Sequence, residues 1–176
     1  REFPPAGIAP GHEMVGYPID GAPGLRDALY AVEPIRRCGR CEPCQAGLYN
    51  RCPEMQLFGV AADGGLADFV DVPNYTAHPV DSGVPDLLAS LAEPLAVCVR
   101  ALRLARVEAS SRVLVLGAGT IGLMAGLLAR DQVTEVAVTA RHPHQRAAAL
   151  SLGLQPLDES EAVAWAQEQG PDVILE

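Results

Sequence analysis

Four of the five cysteines fall between Cys38 and Cys52, as Cys38-Gly39-Arg40-Cys41-Glu42-Pro43-Cys44 followed by Cys52, a C-x2-C-x2-C-x7-C spacing. Zinc takes four soft donors at about 2.3 Å in a tetrahedron, and closely spaced cysteines on a tight loop converge on one point without a preformed core. Gly39, Pro43 and Gly47 supply the turns. Two disulfides, or four free thiols, are the other readings of the same residues. The N-terminal Arg1-Glu2-Phe3-Pro4-Pro5 does not read as a secretion signal, and in a chain of that kind crowded cysteines point to metal before disulfides. Four thiolates on Zn²⁺ leave a net charge of about −2. Arg36, Arg37, Arg40 and Arg51, in or beside the loop, offer compensation. A closed four-sulfur site has no open position, so its expected role is to hold a lobe together.

The 176 residues suffice for one good core or two modest domains. Lys and Arg number 13 against 22 Asp and Glu, and every one of those cations is arginine. The absence of lysine excludes Schiff-base chemistry and a P-loop lysine from this segment. A net charge of −9, with no arginine patch interleaved with aromatics, makes nucleic acid a poor partner. No apolar run approaches the roughly 18 residues of a membrane helix, so no membrane partner and a cytoplasmic location are expected.

Composition shifts near residue 84. Before it, Pro and Gly punctuate short stretches such as Ala28 to Val32 and Leu66 to Val72, which read as small antiparallel β structure. After it the elements lengthen. Val84 to Arg106 is helical in character, with Pro94 expected to break or kink it. A strand over Arg112 to Leu116, a helix over Thr120 to Arg130, and a strand over Val133 to Thr139 follow. Helices over Pro143 to Leu152 and Ser160 to Gln169, then a strand over Asp172 to Leu175, complete the order. Alternation of this kind predicts parallel strands. The last strand ends without the second half that a doubly wound sheet adds, so the chain is expected to be either a fragment or incompletely represented.

Gly117-Ala118-Gly119-Thr120-Ile121-Gly122 matches G-x-G-x-x-G, here after a strand and at the opening of a helix. Gly117, Gly119 and Gly122 permit the tight turn, close approach to a pyrophosphate and helix-strand packing. The helix N-terminus, with Thr120 and Ile121, adds unpaired N–H donors. An NAD site would place an acid near Ala140, at the end of the second strand; the acid is absent and Arg141 follows. Arg141 carries a planar cation suited to a 2′-phosphate, and His142 or Arg146 could add a second contact. NADP is therefore the expected coenzyme, with NAD as the alternative. His142-Pro143-His144 reads as a surface loop rather than a metal site, Cys98 as a small core residue, and His78 as a strand-end histidine.

Gly11-His12-Glu13 sets an imidazole beside a carboxylate after a Pro-Gly turn, either a surface pair or part of a metal site. Glu93 lies in an otherwise apolar stretch, Leu88 to Val99, where an unpaired buried charge is costly. It needs a partner, metal or arginine.

Taken together and in this order, these motifs resemble the zinc-dependent medium-chain dehydrogenase/reductase family of alcohol and polyol dehydrogenases. The resemblance also takes in Asp63-Gly64-Gly65-Leu66-Ala67-Asp68 and Glu93-Pro94-Leu95-Ala96. It implies an α/β plus β fold: a partial GroES-like catalytic domain over 1–95, then the first half of a Rossmann doubly wound parallel sheet over 96–176. It implies a structural zinc on Cys38, Cys41, Cys44 and Cys52, and a catalytic zinc held by His12 and Glu93, with Glu13 a ligand or a supporting carboxylate. A glutamate at position 93 is similar to the polyol, sugar and threonine dehydrogenase branch. The implied substrate is a small alcohol, polyol, sugar or amino alcohol, in a homodimer or homotetramer. The family's first zinc-binding cysteine and proton relay are expected upstream of Arg1, and its second Rossmann half after Glu176, so this segment alone is expected to lack activity. The stretch around Leu25-Arg26-Asp27-Ala28 departs from the family's usual turn. A rival reading is a non-catalytic, zinc-stapled nucleotide-binding protein; a zinc-free quinone-type reductase would lack the cysteine lobe.

Overall fold

Two- and three-residue strands carry the first unit of the chain, where frequent Pro and Gly forbid longer ones. The computed structural model describes residues 7–19 and 27–176. Arg1-Glu2-Phe3-Pro4-Pro5 and Leu25-Arg26 lie outside the described residues. The chain divides into two compact units, Arg1–Glu93 and Pro94–Glu176.

In the first unit β1 (Met14–Gly16) pairs with β2 (Tyr30–Val32), and β2 with β5 (Ala77–Pro79), all antiparallel. A second ribbon joins β3 (Ile35–Arg36) to β4 (Gln56–Leu57). Between these two strands the cysteine segment folds as a lobe containing the single-turn helix α1 (Glu42–Gln45). Met14, Val32 and Phe58 form the core. Leu66 to Val72, expected to be a strand, makes no ladder. Its apolar alternation has another cause: Val70 and Val72 pack on that core, while Leu66 and Phe69 are exposed.

The expected helix over Val84 to Arg106 is two, α2 (Asp86–Ala89) and α3 (Ala92–Leu104). The break falls at Ser90-Leu91, and the Ser90 hydroxyl donates to the Leu87 carbonyl (2.7 Å). Pro94 breaks nothing, because it sits in the first turn of α3, where an N–H would have no helical acceptor.

The second unit is a four-stranded parallel sheet in the order β8-β7-β6-β9, built from β6 (Arg112–Val115), β7 (Glu135–Thr139), β8 (Gln155–Leu157) and β9 (Val173–Leu175). Helices α4 (Thr120–Arg130), α5 (Pro143–Ser151) and α6 (Glu159–Gln169) connect them. Strand β8 escapes a sequence reading because it is three residues long with Pro156 at its centre. It is an edge strand, where proline is tolerated. Both faces of the sheet are covered, which explains the unbroken Val113-Leu114-Val115 run. Val113, Val115 and Val138 pack with Ala129, Ala149 and Leu154 on one side; Leu114 and Ala137 pack with Ala162 and Trp165 on the other. No helix among the described residues is long and apolar enough to cross a membrane.

The tightest packing in the first unit is backbone on backbone. A β-carbon at Gly64 would lie 2.0 Å from the Gly11 carbonyl oxygen and 2.7 Å from the Gly59 Cα, whereas one at Gly83 would meet nothing within 4 Å. Gly64→Ala is therefore expected to destabilise the protein by about 1–3 kcal/mol or more, the range of overpacked sites. Gly83→Ala is expected to change stability by under about 0.5 kcal/mol. Urea denaturation of both variants checks this; equal midpoints would contradict the packing argument.

Candidate functional site

Gly11 adopts φ +96°, and the segment after β4 clamps its loop. The Gly64, Gly65 and Leu66 amides donate to the carbonyls of Ala9 (2.8 Å), Gly11 (2.9 Å) and Pro10 (3.0 Å). The Asp63 carboxylate accepts from the Ala9 amide (2.9 Å). His12 and Glu13 are thereby fixed ahead of the buried Met14 of β1, and Glu93 stands in the first turn of α3. One side-chain donor atom from each of His12, Glu13 and Glu93 lies within 4.8 Å of the others. Glu93 is half-buried, and among the described residues it groups with His12 and Glu13. An imidazole with carboxylates is a donor set that zinc takes. The clamping residues Asp63, Gly59 and Gly64 carry a positioning role that sequence alone left unassigned; only the run Asp63-Gly64-Gly65 hinted at it.

The four sulfurs of Cys38, Cys41, Cys44 and Cys52 also lie within 4.8 Å of one another. Cys38 and Cys52 are 3.6 Å apart, close to the edge of about 3.8 Å that a tetrahedron with bonds of about 2.3 Å requires. No disulfide is formed. The Arg40 and Cys41 amides point at the Cys38 sulfur and lower its pKa to about 7. At Cys41 the Cys44 amide favours the thiolate, but desolvation and the neighbouring thiols outweigh it and push the pKa up to about 12.

Two of the four arginines expected to neutralise that lobe are engaged elsewhere. Arg40 pairs with Glu54 (2.7 Å). Arg37 pairs with Glu33 (3.1 Å) and lies between two rings, 3.7 Å from the centre of Tyr49 and 4.3 Å from that of Tyr75. Tyr75 also exchanges hydrogen bonds with the Arg37 backbone, 2.9 Å each way. Because Tyr49 belongs to the cysteine lobe and Tyr75 does not, this stack ties the lobe to the body of its unit. His78 sits within β5, its Nε2 3.7 Å from Glu33, and Cys98 is a buried core residue whose sulfur is 3.4 Å from the Ile121 carbonyl oxygen.

In the second unit the Gly-rich turn lies at the carboxyl end of β6. Gly117 adopts φ +100°; its amide donates to the Thr139 hydroxyl (2.7 Å), and the Ala118 amide to the Thr139 carbonyl (2.8 Å). A β-carbon at Gly122 would stand 1.9 Å from the Gly117 carbonyl oxygen, while one at Gly119 would meet nothing within 4 Å. Gly122 thus serves packing and Gly119 leaves space over the helix start. No side chain caps α4, so the first-turn amides of Thr120, Ile121 and Gly122 have no capping acceptor. Beside Gly117, at the ends of β6 and β7, opens a groove of about 840 Å³, lined among others by Gly117, Ala140, Arg141, His142, Gln145 and Asp158. Sequence reasoning missed its third wall, Asp158, Glu159 and Ser160. The signal was present: Asp158 and Glu161 form a capping box at the start of α6, and the Glu161 amide, donating to Asp158, holds that carboxyl below its usual range. Of the two residues offered for a second contact, His142 lines the groove, whereas Arg146 is not among its lining residues and pairs with Glu161 (3.1 Å).

Comparison with known proteins agrees with this geometry. The family described as Alcohol dehydrogenase GroES-like domain matches residues 1–82. L-galactonate-5-dehydrogenase of Escherichia coli is 34% identical over 155 residues, 85% of this chain and 45% of the relative. D-altritol 5-dehydrogenase of Agrobacterium fabrum is 34% identical over 172 residues, 92% of this chain and 51% of the relative. A zinc-binding dehydrogenase of Sinorhizobium meliloti, solved bound to NADP, superposes with a TM-score of 0.79 at 33% identity, covering 87% of this chain and 46% of that one. The chain spans about half the length, or less, of the curated relatives it matches. It belongs to the zinc-type medium-chain dehydrogenase/reductase family, with a GroES-like part followed by the first strands of a Rossmann sheet.

The Arg37 stack yields a direct expectation. Arg37→Ala removes a largely buried cation from two aromatic faces and a carboxylate, and should cost about 1–3 kcal/mol. Arg36→Ala, at an exposed position, should stay within about 0.5 kcal/mol. Urea unfolding of the two variants decides; indistinguishable losses would mean the stack does not tie the lobe down.

Proposed function

We propose that this chain supplies the metal-binding and coenzyme-binding parts of an oxidoreductase that moves a hydride between a secondary alcohol of a polyol or sugar acid and NADP(H). The observation that carries the reading is the convergence of His12, Glu13 and Glu93 within 4.8 Å, in a chain whose other unit carries a strand, Gly-rich turn and helix above a groove. In this reading residues 1–95 form the GroES-like catalytic domain and 96–176 the coenzyme domain. Cys38, Cys41, Cys44 and Cys52 hold a structural zinc, and His12 and Glu93, with Glu13 beside them, contribute to a catalytic one. A zinc held there would supply a Lewis acid for the substrate oxygen, and NADP held in the second unit would supply the hydride acceptor.

The remaining work falls to the chain's own groups. Gly119 leaves room for a pyrophosphate, and the amides of Thr120, Ile121 and Gly122 offer it hydrogen bonds. Ala140 presents no carboxylate to repel a 2′-phosphate, and Arg141, exposed at the groove, offers it a planar fork. Support for polyhydroxylated substrates comes from relatives named as galactonate and altritol dehydrogenases.

A panel of polyols, sugar acids, threonine and simple alcohols, followed by nicotinamide absorbance with the whole protein, tests the proposal. Turnover is expected with polyols or sugar acids and NADP(H). His12→Ala should abolish it while coenzyme still binds, and Arg141→Ala should weaken NADPH by about ten- to a hundredfold with NADH unchanged. Normal turnover in His12→Ala would overturn the catalytic assignment, and unchanged NADPH affinity in Arg141→Ala would overturn the coenzyme assignment.

A further inference from the structure

The groove wall beyond β7 carries a feature that hydride transfer does not use. His142 lines the groove next to Arg141, and the ring of His144 stacks on that of His142, with centroids 5.5 Å apart and planes 7° from parallel. Both residues are exposed, and the backbone beneath them is fixed: Gln145 Oε1 accepts from the His142 amide (3.1 Å) at the start of α5. Histidine changes charge between about pH 5 and pH 8. Two imidazolium rings held face to face repel each other, and a neighbouring anion offsets that repulsion. A 2′-phosphate, which is close to a dianion at neutral pH, is such an anion.

The charged surroundings leave this pair with a defined task. On its own element Arg146 is already held by Glu161 (3.1 Å), so Arg141 is the neighbouring arginine that lines the groove. From the β8–α6 side, Asp158 and Glu159 face the same groove. Against these carboxylates one guanidinium gives a modest bias toward a phosphate, and a protonated imidazole beside it adds a second cation on the same wall.

Resting on the NADP reading above, we propose that His142 and His144 act together as a proton-dependent phosphate clamp. His142 meets the 2′-phosphate beside Arg141. His144 is a positioning residue, which holds the His142 ring by stacking and shares the proton taken up when NADPH binds. Coenzyme discrimination then depends on pH: the NADPH preference strengthens as pH falls from about 8 toward 6.5 and fades above it. NADH, with no 2′-phosphate, does not respond.

Dissociation constants for NADPH and NADH, measured by coenzyme fluorescence between about pH 6.5 and pH 8.5, test this. Calorimetry in two buffers of different ionisation enthalpy accompanies them. NADPH binding should tighten by about tenfold across that range, NADH binding by less than about twofold, and only NADPH should take up protons. His144→Gln and His142→Gln, both at exposed positions, should each flatten the NADPH profile toward that of NADH. His144→Gln should still prefer NADPH at pH 8.5 through Arg141. An NADPH preference that is independent of pH, or a His144→Gln profile identical to the unaltered one, would overturn the clamp while leaving the NADP reading intact. Absence of any NADPH preference at every pH would overturn both.

Discussion

Three glycines without side chains set the geometry of the first unit. Gly11, Gly59 and Gly64 meet through their backbones at distances that no β-carbon permits. Because they meet, the loop before β1 and the loop after β4 exchange amide-to-carbonyl hydrogen bonds directly. His12 and Glu13 ride on the first of these loops, and their position relative to Glu93 follows from it. A side chain at Gly59 or Gly64 would meet the Gly11 backbone and push the loops apart, dispersing the donors without touching a donor residue itself.

The second unit repeats the device for a different purpose. Gly122 packs its backbone on the Gly117 carbonyl, which brings the start of α4 against the end of β6. Thr139 holds the turn from the adjacent strand through its hydroxyl and its carbonyl. The outcome is an uncapped helix start over open space, next to a groove whose walls come from the ends of β6, β7 and β8. In open parallel sheets, the crevice outside the carboxyl ends of the strands is where ligands bind. The walls differ in character, with Arg141 and His142 on one side and Asp158 and Glu159 on the other.

Motifs whose chemistry is local were legible in the sequence. The cysteine spacing placed four sulfurs on one lobe, and the Gly-rich turn announced the strand and helix beside it; α4 runs over Thr120–Arg130 as expected. Features decided by long-range partners were not. Val70 and Val72 alternate like a strand because they pack on Phe58 and Met14, without a ladder. Strand β8 is too short and proline-bearing to read, and exists because β7 offers it an edge. Arg37, Arg40 and Arg146 looked available to a metal lobe or a phosphate, yet Arg37 is committed to Glu33, four residues before it, and Arg40 and Arg146 to Glu54 and Glu161, which sequence proximity does not single out. Glu93 looked buried because its neighbours in sequence are apolar, whereas helix geometry turns it toward His12.

In the proposed reading one chain holds two metal sites of different chemistry, four sulfurs in the lobe and an imidazole with carboxylates at the glycine clamp. Zinc X-ray absorption on the whole protein, in the unaltered form and in a Cys44→Ser variant, tests it most directly. The account predicts a mixed sulfur and nitrogen/oxygen shell for the unaltered protein. In the variant the sulfur contribution should fall sharply, with about one zinc equivalent lost, while the nitrogen/oxygen shell persists. A spectrum of sulfur ligands alone in the unaltered protein, or a variant that keeps its zinc and its sulfur shell, would contradict it.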